Sequence, residues 1–208
     1  MIVLTVGFRE RQKKVFGRTL YKSIKSRCFC CLQMTRSRLQ LTLAILKPDL
    51  MMHPMRTKEV KTIIKDNGFL VIQSKVTTFR REEAEKFYEE HRERFFFNRL
   101  TGFMSSGPMT AMVLAKENGI AHWRDLMGPT KTYRARDLAP TSIRALYGIS
   151  DTRNATHGSD SDDSAKKEIT FFFPEFDCDT WFDTHEALYR ENRHRVAWDD
   201  EQGIHYFK

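Results

Sequence analysis

The chain has 208 residues, 40% apolar and 12% aromatic, enough for one domain with a sizeable core plus extensions. Its longest apolar run, Leu41–Leu46 with one Thr, falls far short of the roughly 18 residues that a membrane-spanning helix needs. The formal charge of +8 is unevenly placed: residues 1–40 hold ten Lys/Arg and one acid, whereas the other 168 hold 25 Lys/Arg against 26 Asp/Glu. The basic character belongs to an N-terminal arm, and a nucleic-acid-binding module would carry it on the domain itself.

The arm, residues 1–39, is rich in Arg, Lys, Ser and Thr and nearly free of acids, a composition resembling a mitochondrial transit peptide. The other readings are a basic tail on a cytoplasmic protein, or an upstream extension with Met34 as a later start. Cys28, Cys30 and Cys31 stand too close together to pair, and Cys178 is remote. No second Cys pair or zinc-type His spacing accompanies them, so all four read as free thiols of a reducing compartment.

From Gln40 the pattern becomes regular. "LQLTLAIL" reads as a strand closed by Lys47-Pro48-Asp49. "RTKEVKTIIKDNGF" reads as a helix stopped by Asn67-Gly68, and "FLVIQSKVTTF" as a second strand. "REEAEKFYEEHRERFFFNRL" reads as one helix with Thr78 as its cap, and "SSGP" as a turn into a third strand, "MTAMVLAKE". "GIAHWRDLMG" suggests a short helix, and "PTKTYRARDLAPTSIRALYG" a long basic loop with one short helix. "SAKKEITFFF" reads as a helix stopped by Pro174, and "CDTWFDTHEALYREN" as a helix within an otherwise unassigned end. This order predicts an α+β, ferredoxin-like sandwich: an antiparallel four-stranded sheet with helices packed on it. A core domain over 40–174 would lie between the arm and a C-terminal tail, 175–208.

The stretch "DTRNATHGSDSDDSAKKEI", residues 151–169, admits three readings. Asn154-Ala155-Thr156 fits a glycosylation sequon, which free cysteines disfavour. "SDSDDS" fits a solvated acidic linker. The third reading makes His157 a nucleophile: one ring nitrogen held by Glu168, Ser159 orienting that carboxylate, and Gly158 allowing close approach. Taken alone, a histidine beside Gly and Ser is more often a loop residue than a nucleophile. Elsewhere Lys47, Arg124, Arg144 and Thr130 could clamp a polyphosphate, and Phe95, Phe96 and Phe97 could offer a stacking face. Taken singly, each also reads as an ordinary surface or core residue.

The motifs "LAILKPD", "FYEEHRERFFFNRLTGFMSSGPM", "RDLMGPT", "PTSIR" and "TRNATHGSDS" followed by "SAKKEI" resemble the nucleoside diphosphate kinase family, over about Leu41 to Phe173. "MGPT", "YRARDLAP" and "DTRN" are similar to a divergent type within it. The resemblance implies ping-pong transfer of the γ-phosphate of a nucleoside triphosphate such as ATP to a nucleoside diphosphate, through a phosphohistidine at His157. It implies that Lys47 meets the γ-phosphate and ribose, that Tyr88 steers Lys47, and that His91 reaches the α-phosphate. Phe96 would stack on the base, with Arg124, Thr130 and Arg144 on the β- and γ-phosphates. Asn154 would meet the ribose, and Glu168 with Ser159 would orient His157. Mg²⁺ would ride on the phosphates as cofactor, Asp160 reaching it through water. Three features depart from the pattern: Asp151 stands where many members place a small apolar residue against the base, the segment Thr130–Pro140 is lengthened, and the tail is unlike the usual one. They leave oligomeric state open and motivate an alternative, a weakly active or partner-dependent nucleotide-binding or assembly protein on the same fold. Nucleotides are the expected partners, with a protein partner in the alternative, no membrane insertion and no nucleic acid.

Overall fold

In a computed structural model, which describes residues 37–208, strand β1 (Leu39–Leu46) lies centrally in a four-stranded sheet. The order is β2 (Leu70–Thr77), β3 (Met109–Glu117), β1, β4 (Thr156–Gly158), every pair antiparallel. β1 and β3 are buried along nearly their whole length because both of their faces are covered. Leu39, Leu41, Leu43 and Ile45 point to one apolar cluster with Met109, Ala111, Val113 and Ala115. Ala44 and Leu46 point to the other, with Met112 and Leu114. This is the period-two alternation of a strand, with an apolar residue at both parities.

Helices cover each face. The first cluster takes Ala84 from α3 (Arg81–Phe87), Met104 from α4 (Phe97–Met104), Ile169 from α8 (Asp162–Phe172) and Trp181 from α9 (Cys178–Thr184). The second takes Leu50 from α1 (Pro48–Met51), Val60 and Ile64 from α2 (Pro54–Asp66), Trp123 from α5 (Gly119–Met127) and Ile143 from α7 (Ile143–Tyr147). The expected ferredoxin-like α+β sandwich is present.

Several elements differ from expectation. The single helix expected after the second strand is broken: α3 ends at Phe87, a 3₁₀ turn covers Glu89–His91, and α4 begins at Phe97. Glu89–Arg94 contains no apolar residue, so a helix through it would have no face to bury. Thr78 does not cap α3; the Arg80 N–H donates to Glu83 Oε2 at 2.8 Å, with Phe79 buried in the core. The expected basic loop holds a second helix, α6 (Thr132–Leu138), which buries Ala135 and leaves its charges in water. His157 lies not in a loop but in β4, three residues long and so below the reach of a periodicity reading. The helix expected at 178–192 is two, α9 and α10 (Glu186–Glu191), broken at His185, and a hairpin of β5 (Val196–Asp199) and β6 (Ile204–Phe207) follows.

The tail protects both sheet edges. Glu186 Oε1 accepts from the Leu39 N–H at 2.7 Å, closing the part of β1 that short β4 leaves unpaired. At the other edge the Val71 N–H, beside a bulge in β2, donates to His205 Nδ1 at 2.9 Å. Unpaired edges invite association, and these contacts blunt them. Cys178 is a buried free thiol. The arm, Met34 and the other three cysteines lie outside the described residues, except that Leu39 already opens β1. No helix among the described residues is long and apolar enough to cross a membrane.

Candidate active site

The site is built where β1 ends beside β4. Ala155 sits in the left-handed region, φ 67°, a conformation that is costly for a residue with a Cβ. Two bonds hold it: Lys47 N–H donates to Ala155 O at 2.9 Å, and Ala155 N–H donates to Asp49 Oδ2 at 3.0 Å. Burial pushes the Asp49 carboxyl up, partly opposed by that backbone bond. Past the turn, Trp123 Nε1–H donates to His157 O at 3.1 Å. A Cβ on Gly158 would stand 2.4 Å from the Trp123 ring, so only glycine lets β4 lie this close to α5.

The imidazole is oriented by a relay that starts in the sheet. Leu43 N–H donates to Ser159 Oγ at 3.1 Å, Ser159 Oγ–H donates to Glu168 Oε2 at 2.6 Å, and His157 Nε2 meets Glu168 Oε1 at 2.9 Å. A carboxylate only accepts, so Nε2 carries the proton and Nδ1 keeps its lone pair. The rings of Phe87 and Tyr88 stand edge-on to the imidazole, at 5.6 Å and 6.2 Å.

His157 faces a cleft of about 570 Å³. Lys47, Arg124 and Arg144 bring three cations to it. Lys47 is buried and donates to Asn154 Oδ1 at 2.7 Å. Desolvation, then the positive Arg144, lowers its pKa to about 7, and Asp49 opposes them. Arg144 is 8% exposed and anchored by bonds to Gly128 O at 2.8 Å and Thr156 O at 3.1 Å. Burial and neighbouring Arg124 lower its pKa to about 10, so it stays cationic at neutral pH. Arg124 is exposed on α5, and its side chain makes no hydrogen bond or ion pair among the described residues. At the opposite end Phe96 is half-buried, edge-on to His91 at 5.6 Å, while Phe97 is in the core and Phe95 is 92% exposed on the rim. The arrangement offers an oriented nucleophile, a cationic cradle and an aromatic shelf.

A match to the family described as Nucleoside diphosphate kinase covers residues 40–178. The chain is 49% identical over 170 residues to "Nucleoside diphosphate kinase 6" of Danio rerio, covering 82% of this chain and 95% of that one. It is 46% identical over 168 residues to "Nucleoside diphosphate kinase 6" of Homo sapiens, covering 81% and 89%. The chain belongs to the nucleoside diphosphate kinase family. Its fold matches a crystal structure of the Aquifex aeolicus nucleoside diphosphate kinase with a TM-score of 0.62, at 44% identity, over 65% of this chain and 95% of that one.

All the residues expected in a nucleoside diphosphate kinase site except Ser159 line this one cleft, and Ser159 lies just behind it, bonded to Glu168. Two stand in contacts that the sequence did not suggest. Tyr88 makes no hydrogen bond through its buried hydroxyl, whose pKa is raised by burial and the facing Glu168. Lys47 is held instead by Asn154, whose Nδ2 also donates to Thr130 O and Asp151 O at 3.2 and 2.9 Å. Asp49, which pins the Ala155 turn, was signalled only by its place in "LKPD"; Arg99 and Lys131, also on the cleft, had no signal. No group of three or more His, Cys, Asp or Glu among the described residues could cage a metal ion. Asp160 is exposed on the cleft, its carboxyl held below the usual range first by hydrogen bonds from Ser164. One ionised carboxylate fits a Mg²⁺ carried by phosphates and touched through water.

Proposed function

We propose that the chain transfers the γ-phosphate of a nucleoside triphosphate such as ATP to a nucleoside diphosphate by a ping-pong reaction through a phosphohistidine at His157. The observation that carries this is the Glu168–Nε2 bond, which leaves Nδ1 free toward three cations. The Nδ1 lone pair attacks the γ-phosphorus. The bond from that phosphorus to its bridging oxygen breaks, and the electron pair leaves with the diphosphate. The ring becomes positive, and Glu168 offsets that charge without taking the proton. A terminal oxygen of a second diphosphate then attacks, the P–N bond breaks and neutral imidazole returns. Positioning and charge stabilisation dominate such transfers. Lys47 meets the γ-phosphate, Arg124, Arg144 and Thr130 hold the β- and γ-phosphates, and His91 reaches the α-phosphate. Asn154 positions Lys47 in the free chain and turns its remaining Oδ1 lone pair to the ribose. Tyr88 walls the imidazole, and Phe96 stacks on the base without choosing it. Asp160 would meet, through water, a Mg²⁺ carried by the phosphates, and such an ion would neutralise part of their charge.

The test is incubation with γ-labelled ATP and Mg²⁺. An acid-labile label on the folded chain, absent in His157→Ala, is expected; no label on folded wild-type protein sinks the proposal. A second reading, partner-dependent activity, is favoured by apolar side chains exposed around α6 and α7: Tyr133 at 58%, Leu138 at 71%, Leu146 at 54% and Ile149 at 59%. Brisk turnover by the isolated chain removes it. We also propose that residues 40–174 carry the chemistry, 175–208 support it and 1–39 direct the chain to mitochondria. A reporter fused to residues 1–39 that stays diffuse in the cytosol overturns that last assignment.

A further inference from the structure

Asp49 holds a charge that its hydrogen bond does not require. Its carboxylate is buried, and Oδ2 accepts the Ala155 N–H at 3.0 Å. Oδ1 is buried too and makes no hydrogen bond of ordinary geometry; the N–H groups of Asp49 and Leu50 favour its charge only weakly. Holding the Ala155 turn needs an acceptor, and a neutral amide would serve. A buried carboxylate costs more than a buried amide, because charge is the harder thing to take out of water. Nor does Asp49 meet a ligand directly, since it stands behind the cleft rather than on its walls.

Lys47 is the group beside it that needs a negative charge. Both side chains grip one short piece of backbone. The Lys47 ammonium donates to Asn154 Oδ1 at 2.7 Å, and the Asp49 carboxylate accepts the peptide N–H that follows Asn154. The other groups around the ammonium do not help it. Arg144 on α7 repels it, with Arg124 on α5 beyond. Glu168 on α8 is committed to Ser159 and His157, and Tyr88 is a neutral phenol. Asp151 and Asp160 are exposed, where water screens them.

We infer that Asp49 is the counter-charge of Lys47 in the empty cleft, its negative charge keeping the amine protonated until phosphate arrives. No ion pair of ordinary length joins the two among the described residues, so Asp49 acts through space. In a dry interior a charge acts across such a gap far more strongly than in water. Desolvation and Arg144 disfavour the ammonium, and Asp49 is the charge that opposes them. Asp49 is thus a positioning residue, reaching a ligand only through Lys47 and the Ala155 turn. Its purpose, a cation ready for phosphate, rests on the phosphotransfer reading above; its test needs no nucleotide, so either can fail alone.

The experiment follows Lys47 in the free full chain by NMR, with ¹³C at the lysine Cε atoms and the signal assigned from Lys47→Met. In Asp49→Asn the amide oxygen still accepts the Ala155 N–H, while the charge is gone. The Lys47 titration should then fall by about one pH unit, the low end of what a nearby opposite charge does. A purely structural Asp49 predicts no shift in the folded variant. Should Asp49→Asn not fold, the wild-type chain decides. With ¹³C in its aspartate carboxyls, the Asp49 signal should move as Lys47 titrates, near pH 7. An unmoved Lys47 titration in folded Asp49→Asn, or an Asp49 signal flat across that range, overturns the inference and leaves the phosphotransfer reading in place.

Discussion

Lys47 holds its ammonium in a place that disfavours charge, at the buried end of β1 with Arg144 for a neighbour. With its pKa near 7, the amine gives up its proton far more readily than an ordinary lysine does. An arriving polyphosphate favours the charged form, so binding above pH 7 draws in a proton and affinity falls as pH rises. Calorimetry at pH 8 in buffers of different ionisation heat should show proton uptake, lost in Lys47→Met; equal heats in all buffers for the wild type refute this. The unfolded amine titrates near 10.5, so the same shift makes stability rise with pH between about 7 and 10.5. Arg124 and Arg144 divide differently. Each should cost about 1.5–3 kcal/mol of nucleotide binding when changed to Ala, the scale of a charged hydrogen bond. Only Arg144→Ala should also lower the unfolding midpoint, because only Arg144 ties Gly128 O to Thr156 O across the fold. Phe96→Ala should weaken binding of all bases by about 1–3 kcal/mol, read by calorimetry as a parallel loss for GDP, ADP, CDP and UDP. At this scale the sequence revealed identities well and partners poorly. Spacing could bring Glu168 to His157, but nothing in it said that Asn154 would hold Lys47, since that bond spans the end of one strand and the approach to another.

Among the elements, long apolar ones were readable and short or amphipathic ones were not. β1, β3 and α2 declare themselves by pattern; β4 is three residues whose place is set by pairing with Ala44–Leu46. The β5–β6 hairpin escaped because its residues are half-buried and mixed in character, and what defines it is the edge of β2. That edge gives a pH prediction. His205 accepts the Val71 N–H, and burial, then Lys65 and Arg193, lowers its pKa to about 4. The unfolded imidazole titrates near 6.5, so the unfolded chain binds the extra proton between about pH 4 and 6.5 and stability falls as pH falls through that window. Urea midpoints at pH 6.5 and 4.5 should show a smaller loss in His205→Asn than in wild type. An equal loss assigns the acid sensitivity elsewhere.

Taken whole, the described chain is one unit, Ser37–Lys208, in which the tail shares the core of the sandwich. Trp181 and Cys178 lie in the same cluster as Leu39, Ile169 and Phe172. Removing residues 175–208 would bare that cluster and leave Leu39 N–H without Glu186. Truncation after Pro174 should therefore give a chain that aggregates or melts markedly lower, by differential scanning calorimetry; a truncated chain as stable as the parent would make the tail a passenger. Composition and motif order carried the fold and the family, but the tail's role was hidden because its contacts lie at sequence distances above one hundred residues, as for Leu39 with Glu186 and Val71 with His205.

The left-handed turn at Ala155 has one more consequence. Asn154, Ala155, Gly158 and Ser159 fix the backbone beside the cleft, so a change at any of them disturbs fold and site together, whereas the side chain of His157 lies in the cleft. A saturating scan read twice, once for cellular abundance and once for phosphotransfer, should find those four positions intolerant in both and His157 intolerant in the second. Arg124, Phe96 and Asp160, which reach the cleft from exposed or half-buried positions, should fail only in the second. Such a map would separate the scaffold of the reaction from its reagents position by position.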